Sequence, residues 1–312
     1  MSGRRRIVRV PASSANLGPG YDVLAAALEL ELELEVVETG TYGFDPGGLD
    51  VPTGRDNLLV AAFERLHSAD GISFRQRSEI PLARGLGSSA AAIVAGLLAA
   101  DHLFELGHPR EALFELACEV EGHPDNVAAA LFGGFIVAAP EGAPQRSSAP
   151  DPIDVAAGTA PTSAATLPAL LAPPEGLEAV LVIPAEEVST AAARAAMGEG
   201  LTIADGVHNV AAAANLVLGI ERSDLTLIER GLCDRIHQGR RAHLFPRSIE
   251  VVEAARELGA IGATISGAGP TVLVWSHWQG AAGLLEGLEK LCAGWAEVRR
   301  VPFSPQGARV EL

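Results

Sequence analysis

Leu28, Leu30, Leu32, Leu34 and Val36 alternate with Glu29, Glu31, Glu33 and Glu35. Period two over nine residues predicts a half-buried strand, with leucines toward a core and glutamates outward. The acidic run reads as a solvated sheet face rather than a metal site. Ahead of it, residues 7–10 predict a short strand ending at Pro11. Residues 56–69 carry Leu59, Ala62, Phe63 and Leu66 at helical spacing, and 72–77 return to the strand pattern. Helices are predicted over 88–106 and 110–120, the second opened by Pro109 in its first turn. A shorter helix over 125–131 and a strand over 134–139 close this half.

From 139 to 174 the periodicity stops. Ala, Pro, Ser, Thr and Gly dominate, which predicts a linker or insertion. Residues 145–171 read as inserted and carry no assigned chemistry. The domain boundary is placed here, giving an N-terminal unit of 1–172, with the Ala/Pro-rich 140–172 at its end, and a C-terminal unit of 173–312. The second unit reads strand (179–184), helices (near 189–197, 206–219, 225–230 and 248–258), two strands (263–266 and 271–275), helix (280–292) and strand (296–301). That order predicts an α+β architecture, an antiparallel sheet backed by helices.

Composition narrows the chemistry. The 312 residues carry a net charge of −16. Such a charge disfavours nucleic acid or anionic lipid as a partner. Lys290 is the only lysine, so the Walker A pattern of a Gly-rich loop followed by Lys is absent. Cys118, Cys233 and Cys292 lie far apart, with no C-x-x-C pairing, which fits a reducing cytoplasm better than a disulfide or zinc scaffold. The apolar stretch before Pro11 is too short for a signal core or a membrane span.

Three Gly-rich stretches carry candidate chemistry. Pro81, Leu82, Ala83, Arg84, Gly85, Leu86, Gly87, Ser88, Ser89, Ala90 and Ala91 form a glycine turn with two serines that feeds an Ala-rich helix. The unpaired N–H groups and positive dipole end of that helix make an anion site, and the glycines let backbone approach a phosphate. A serine N-cap on a buried helix is the plainer alternative. Residues 11–22 form a Gly-x-Gly loop flanked by Asn16 and Asp22, an amide and a carboxylate for one small polar ligand. Residues 262–271, with Gly267 and Gly269, join two apolar strands and on their own are compatible with a simple hairpin.

Together these stretches resemble the GHMP kinase superfamily, in order and spacing, over essentially the whole chain except the Ala/Pro segment. The resemblance implies an N-terminal domain like the second domain of ribosomal protein S5 and a ferredoxin-like C-terminal domain. ATP and acceptor would lie in the cleft between them. Ser14 to Asp22, Glu121 to Val127, Ser189-Thr190 with Arg194, and Asp234 to Gln238 leading to Arg241 are most similar to the branch whose acceptor is L-homoserine. That branch transfers the γ-phosphoryl of ATP to the side-chain hydroxyl, a step toward threonine. Mevalonate-, sugar- or shikimate-type members, or a non-catalytic nucleotide-binding relative, are the alternatives.

The same resemblance assigns roles. Residues 81–91, Gly267 and Gly269 would hold ATP, and Ser89 with Glu121 would hold Mg²⁺. Asn16 and Asp22 would receive the substrate ammonium, and Arg194 and Arg241 its carboxylate. His123 and Asp125 would line the acceptor site. Read without it, Arg194 is a solvated residue on an Ala-rich helix and Arg241 a surface charge beside Arg240, which could compete with it. Asn126 stands where relatives carry a catalytic Asp. Catalysis by Asn126, Arg194 and Glu121 without a dedicated strong base is therefore expected, the hydroxyl proton leaving late. A cytoplasmic homodimer acting on a small molecule completes the expectation.

Overall fold

The computed structural model describes residues 3–138 and 167–311. Its first half builds a sheet from β1 (Arg5–Ala15), β2 (Leu24–Glu38) and β3 (Gly43–Asp45). Helix α1 (Leu58–Phe63), strand β4 (Ile72–Ser78) and helices α2 (Ser88–Phe104), α3 (Arg110–Glu121) and α4 (Pro124–Phe132) follow. Strands β5 (Phe135–Val137) and β6 (Ala169–Leu171) complete it. The alternation in β2 is realised in full. Leu28, Leu30, Leu32, Leu34 and Val36 are all buried, against β1, α2 and α4. On the opposite face the glutamates meet arginines of neighbouring strands: Glu33 pairs with Arg9 at 2.7 Å, Glu35 with Arg5 at 2.6 Å and Glu31 with Arg309 at 2.6 Å. Cross-strand charge pairing thus accompanies the solvation expected for that face.

The second half runs β7 (Leu177–Pro184), α5 (Thr190–Ala195), α6 (Ile203–Arg222), α7 (Leu225–Gly231) and α8 (Gln238–Arg241). After a 3₁₀ turn at Ala242–Leu244 come α9 (Pro246–Ala254), β8 (Gly262–Ile265), β9 (Val272–His277), α10 (Ala281–Leu291) and β10 (Ala296–Val301). Strand β11 (Arg309–Glu311) ends the described chain. The order β10-β7-β9-β8, antiparallel throughout, is the ferredoxin-like arrangement. One face of this sheet packs on α9 and α10 around Val180, Val182, Ile265, Val274 and Leu288. The other joins the first half, where Phe135, Trp275 and Phe303 meet with ring centroids 4.7–5.8 Å apart. Fold class and layer order therefore agree with the expectation.

Several boundaries differ. The first strand does not stop at Pro11 but continues to Ala15, because a register shift between Pro11 and Ala12 absorbs the missing N–H. The helix expected over 56–69 shortens to α1, capped by Asn57 Oδ1 accepting from Leu59 N at 2.9 Å. The chain does not end its structure at β10, since β11 returns to pair with β1 in the first sheet. Of the stretch expected as a linker, 139–166 lies outside the described residues, while Ala169–Leu171 is not structureless but pairs with β5.

Candidate active site

The three glycine-rich segments fold onto one another. Asn16, at φ 69°, donates from Nδ2 to Gly267 O (2.8 Å) and accepts at Oδ1 from Asp22 N (3.0 Å). Gly267 N in turn donates to Ala15 O (3.1 Å), and Ser13 N to Leu86 O (3.1 Å). The Ser266 hydroxyl donates to Gly85 O (2.6 Å) and lies 2.8 Å from Ser14 Oγ. First and third segments thus clamp the middle one from both sides. Two glycines are required by that clamp. A Cβ on Gly85 (φ 76°) would sit 2.3 Å from Ser266 O, and one on Gly87 (φ 68°) 2.0 Å from Ser13 Oγ. Gly87→Ala therefore combines a left-handed strain of about 1–2 kcal/mol with a steric clash. It is expected to lower the thermal midpoint and to weaken nucleotide binding at least tenfold, both measurable by thermal shift with and without ATP. Unchanged ATP affinity would show that the clamp does not shape the loop.

Gly87 is also the N-cap of α2, and no side chain caps that helix. Its first-turn N–H groups open onto a cavity of about 310 Å³ lined by Ser88 and Ser89. That is the arrangement for a phosphate at a helix start. Ser89 Oγ donates to Glu121 Oε2 at 2.5 Å, and burial raises the Glu121 pKa while this hydrogen bond opposes the rise. Across the cavity Arg194 forks onto Asp22, Nη1 to Oδ2 and Nη2 to Oδ1, both 3.2 Å. Arg241, 2% exposed, donates to Ala193 O (2.9 Å), to Gly267 O (3.3 Å) and to Tyr21 OH (3.3 Å). Burial holds its pKa below the usual arginine value.

Behind Arg241 stands a buried latch. Asp234 accepts from Ile236 N, His237 N and Gln238 N and from Asn209 Nδ2, so one carboxylate starts α8 and ties it to α6. His237 Nε2 lies 2.8 Å from Gly18 O, which can only accept, so Nε2 carries the proton and Nδ1 faces Arg241 Nη1 at 3.5 Å. Burial lowers the His237 pKa, consistent with a neutral ring. Arg240 points elsewhere, to Met197 O and Gly200 O. Arg241 lines the cavity and Arg240 does not.

Asp125 lies in the first turn of α4 and is 2% exposed. Burial pushes its pKa up to about 6; the charge of Asp22 adds to this, while Asn126 N–H and Arg194 oppose it. Its Oδ1 accepts from Asn126 N at 2.6 Å, and Asn126 Oδ1 accepts from Ser13 Oγ at 2.8 Å.

The cavity therefore gathers Asn16, Asp22, Ala83, Gly85, Gly87, Ser88, Ser89, Glu121, His123, Asp125, Asn126, Arg194, Arg241 and Gly267. Pro81, Leu82, Arg84, Leu86, Ala90, Ala91 and Gly269 are not on its wall. Leu86, Ala90 and Ala91 are buried in the core. The Arg84 guanidinium is held by Pro184 O, Ala185 O and Glu187, so it fastens the loop to the end of β7 rather than facing the cavity. Asn16 likewise has its amide committed to Gly267 and Asp22. Sequence reasoning gives no role to Tyr21 or Asn209. The signal for Asn209 is its phase, since a polar residue in register with buried Ala212 and Leu216 needs partners.

The family described as GHMP kinases N terminal domain matches residues 57–134, and GHMP kinases C terminal matches 216–293. A homoserine kinase of Thermus thermophilus is 38% identical over 268 residues, 84% of either chain. One of Prochlorococcus marinus is 35% identical over 96% of this chain and 93% of its own. The crystal structure of homoserine kinase from Cytophaga hutchinsonii superposes with a TM-score of 0.80 at 27% identity, covering 99% of this chain and 98% of that one. A mevalonate kinase structure at 14% identity and TM-score 0.68 shares the fold. With the glycine-rich clamp, the uncapped helix start and these relatives in agreement, the chain belongs to the homoserine kinase family of the GHMP kinases.

Proposed function

We infer that the chain transfers the γ-phosphoryl group of ATP to the side-chain hydroxyl of L-homoserine, yielding O-phospho-L-homoserine. The observation that carries this reading is the charge layout of one cavity. A carboxylate (Asp22) and two guanidinium groups (Arg194 and Arg241) suit a zwitterion, and they share a wall with an uncapped helix start suited to phosphate. Work divides between the two halves of the chain. The first supplies the phosphate cradle, Asp22 and Asp125; the second supplies the arginines and the Gly267 turn.

Ser89 and Glu121 present a hydroxyl and a carboxylate oxygen beside the helix start. Hard oxygen donors in that number fit Mg²⁺, which keeps several waters and takes its other ligands from phosphate. Among the described residues no cluster of three or more His, Cys, Asp or Glu is placed to hold a metal ion. When bound there, Mg²⁺ supplies charge neutralisation on the phosphates.

Asn126 cannot accept a proton, and its carbonyl is occupied by Ser13. Asp125, ionised above about pH 6, is the cavity group suited to take the hydroxyl proton. Phosphoryl transfer through a loose transition state needs only such a weak and late acceptor. ADP release with Mg-ATP across L-homoserine, L-serine, L-threonine, mevalonate, shikimate and galactose tests the reading. Turnover is expected with homoserine. Its absence there, with turnover of an amine-free alcohol, overturns the assignment. Glu121→Gln is expected to raise the Mg²⁺ concentration for half-maximal rate at least tenfold, and an unchanged requirement removes Glu121 from the metal.

A further inference from the structure

Tyr21 stands one residue before Asp22 and lines the same cavity. Its hydroxyl oxygen accepts from Arg241 Nη2 at 3.3 Å and lies 3.5 Å from Arg194 Nη1. Guanidinium groups only donate, so both contacts fall on the lone pairs of that oxygen. Among the described residues no group accepts the phenolic proton, which is left for a ligand. A hydroxyl that accepts from cations is polarised into a stronger donor. The ring is fixed from the other half of the chain. Its centroid lies 5.4 Å from that of His237, and the Arg241 guanidinium carbon sits over its face at 5.1 Å. Arg241 itself has little left to offer a ligand. Its Nε donates to Ala193 O, its Nη1 faces Gly267 O and His237 Nδ1, and its Nη2 is taken by Tyr21.

We propose that Tyr21 is a specificity-determining residue whose hydroxyl, held and polarised by Arg241, donates to the carboxylate of the acceptor. The role rests on the reading of that acceptor as L-homoserine. An α-amino acid carries its ammonium and carboxylate on one carbon, so the groups that receive them must be neighbours. Asp22 and Tyr21 are adjacent, and Arg194 Nη1 faces both, 3.2 Å from Asp22 Oδ2 and 3.5 Å from the hydroxyl. A purely structural task would be met by the ring alone, since the His237 ring and the Arg241 guanidinium carbon both pack on it. The hydroxyl adds a hydrogen-bond donor beside the two arginines, and only a ligand with an acceptor at that point uses it.

Tyr21→Phe keeps the ring and deletes only the hydroxyl. Steady-state kinetics of the parent and this variant at saturating Mg-ATP compare L-homoserine with aminopropanol, which keeps the hydroxyl and the amine but lacks the carboxylate. For homoserine, KM is expected to rise roughly 10–100-fold with kcat little changed, as for the loss of one hydrogen bond to a charged group. For aminopropanol kcat/KM should match the parent's, and the KM for ATP and the thermal midpoint should stay at parent values. A homoserine KM raised by less than about tenfold, or an equal loss on both substrates, overturns the proposal and leaves the homoserine assignment standing. A parent that neither turns over homoserine nor binds it by calorimetry overturns that assignment, and the role of Tyr21 with it.

Discussion

Asp125→Asn is expected to make the protein more stable at pH 8 and nearly inactive, two effects with one cause. Burial lifts the Asp125 pKa from 3.8 to about 6. A carboxyl group raised in the fold favours the native state below its unfolded pKa, and this advantage is lost as pH rises through the folded value. Above about pH 6 the native state therefore carries an ionised buried carboxylate that the unfolded chain solvates freely. The shift corresponds to a cost on the order of 3 kcal/mol. An amide cannot ionise, and its oxygen can still accept from Asn126 N. The thermal midpoint of the variant should exceed that of the parent by roughly 5 °C at pH 8, and the gap should close toward pH 4. The charged and titratable groups facing Asp125 are Asp22, Arg194, Glu121 and Cys118, and none of them is altered by the change.

The amide also cannot take the hydroxyl proton. Loss of a positioned proton acceptor costs about 10²–10⁴-fold in kcat. A kcat within tenfold of the parent would assign the proton to phosphate or water and return the mechanism to transfer without any base. A lower midpoint at pH 8 would mean that the carboxylate is better satisfied in the fold than its burial implies. Asn126→Ala serves as the contrast. It removes the acceptor of the Ser13 hydroxyl, and a several-fold loss is expected, well short of that for Asp125→Asn.

What the sequence conveyed about the fold depended on the length and regularity of each signal. The nine-residue alternation of β2 and the Ala-rich run of α2 were legible because burial dictates every position in them. The sequence alone ends β1 at Pro11, because proline reads as a terminator unless a register shift against the partner strand receives it. Strands β3, β6 and β11 hold three residues each, too few for a period to emerge. At the site, Asp22, Ser88 and Ser89 stand in the glycine-rich segments and can be singled out there, whereas Glu121, Asp125, Arg194 and Arg241 lie outside them and are named only through the family resemblance. The residues that hold them in place cannot be singled out. Asn209 lies about 190 residues from the Pro19 carbonyl it supports. Whether Arg240 or Arg241 turns inward is decided by Asp234 and His237 and by the carbonyls of Met197 and Gly200. None of these pairings leaves a local pattern.

The acceptor site should discriminate by an exchange of ion pairs, and Asp22→Asn is expected to reveal it by moving two ligands in opposite directions. Asp22 and Arg194 are both partly exposed and fork onto each other at 3.2 Å, while Arg241 is held behind them by Tyr21 and Gly267. A zwitterion could part the pair without leaving either charge alone, since its ammonium would replace Arg194 at Asp22 and its carboxylate would replace Asp22 at Arg194. A ligand with only one of the two charges leaves the other protein group without its partner. γ-Hydroxybutyrate, which lacks the amine, and aminopropanol, which lacks the carboxylate, are each expected to show kcat/KM at least about 10³-fold below homoserine, because a site built around polar pairing rejects analogues that lack a partner. In Asp22→Asn the homoserine KM should rise about 10²-fold with kcat little changed, the pattern of lost ground-state binding. The same substitution frees Arg194 from its carboxylate, so γ-hydroxybutyrate should bind more tightly to the variant than to the parent. Arg194→Lys keeps the charge but loses the fork, and should weaken homoserine without that gain. If Asp22→Asn weakened both ligands alike, the carboxylate of Asp22 would be shaping the loop rather than exchanging partners with the substrate.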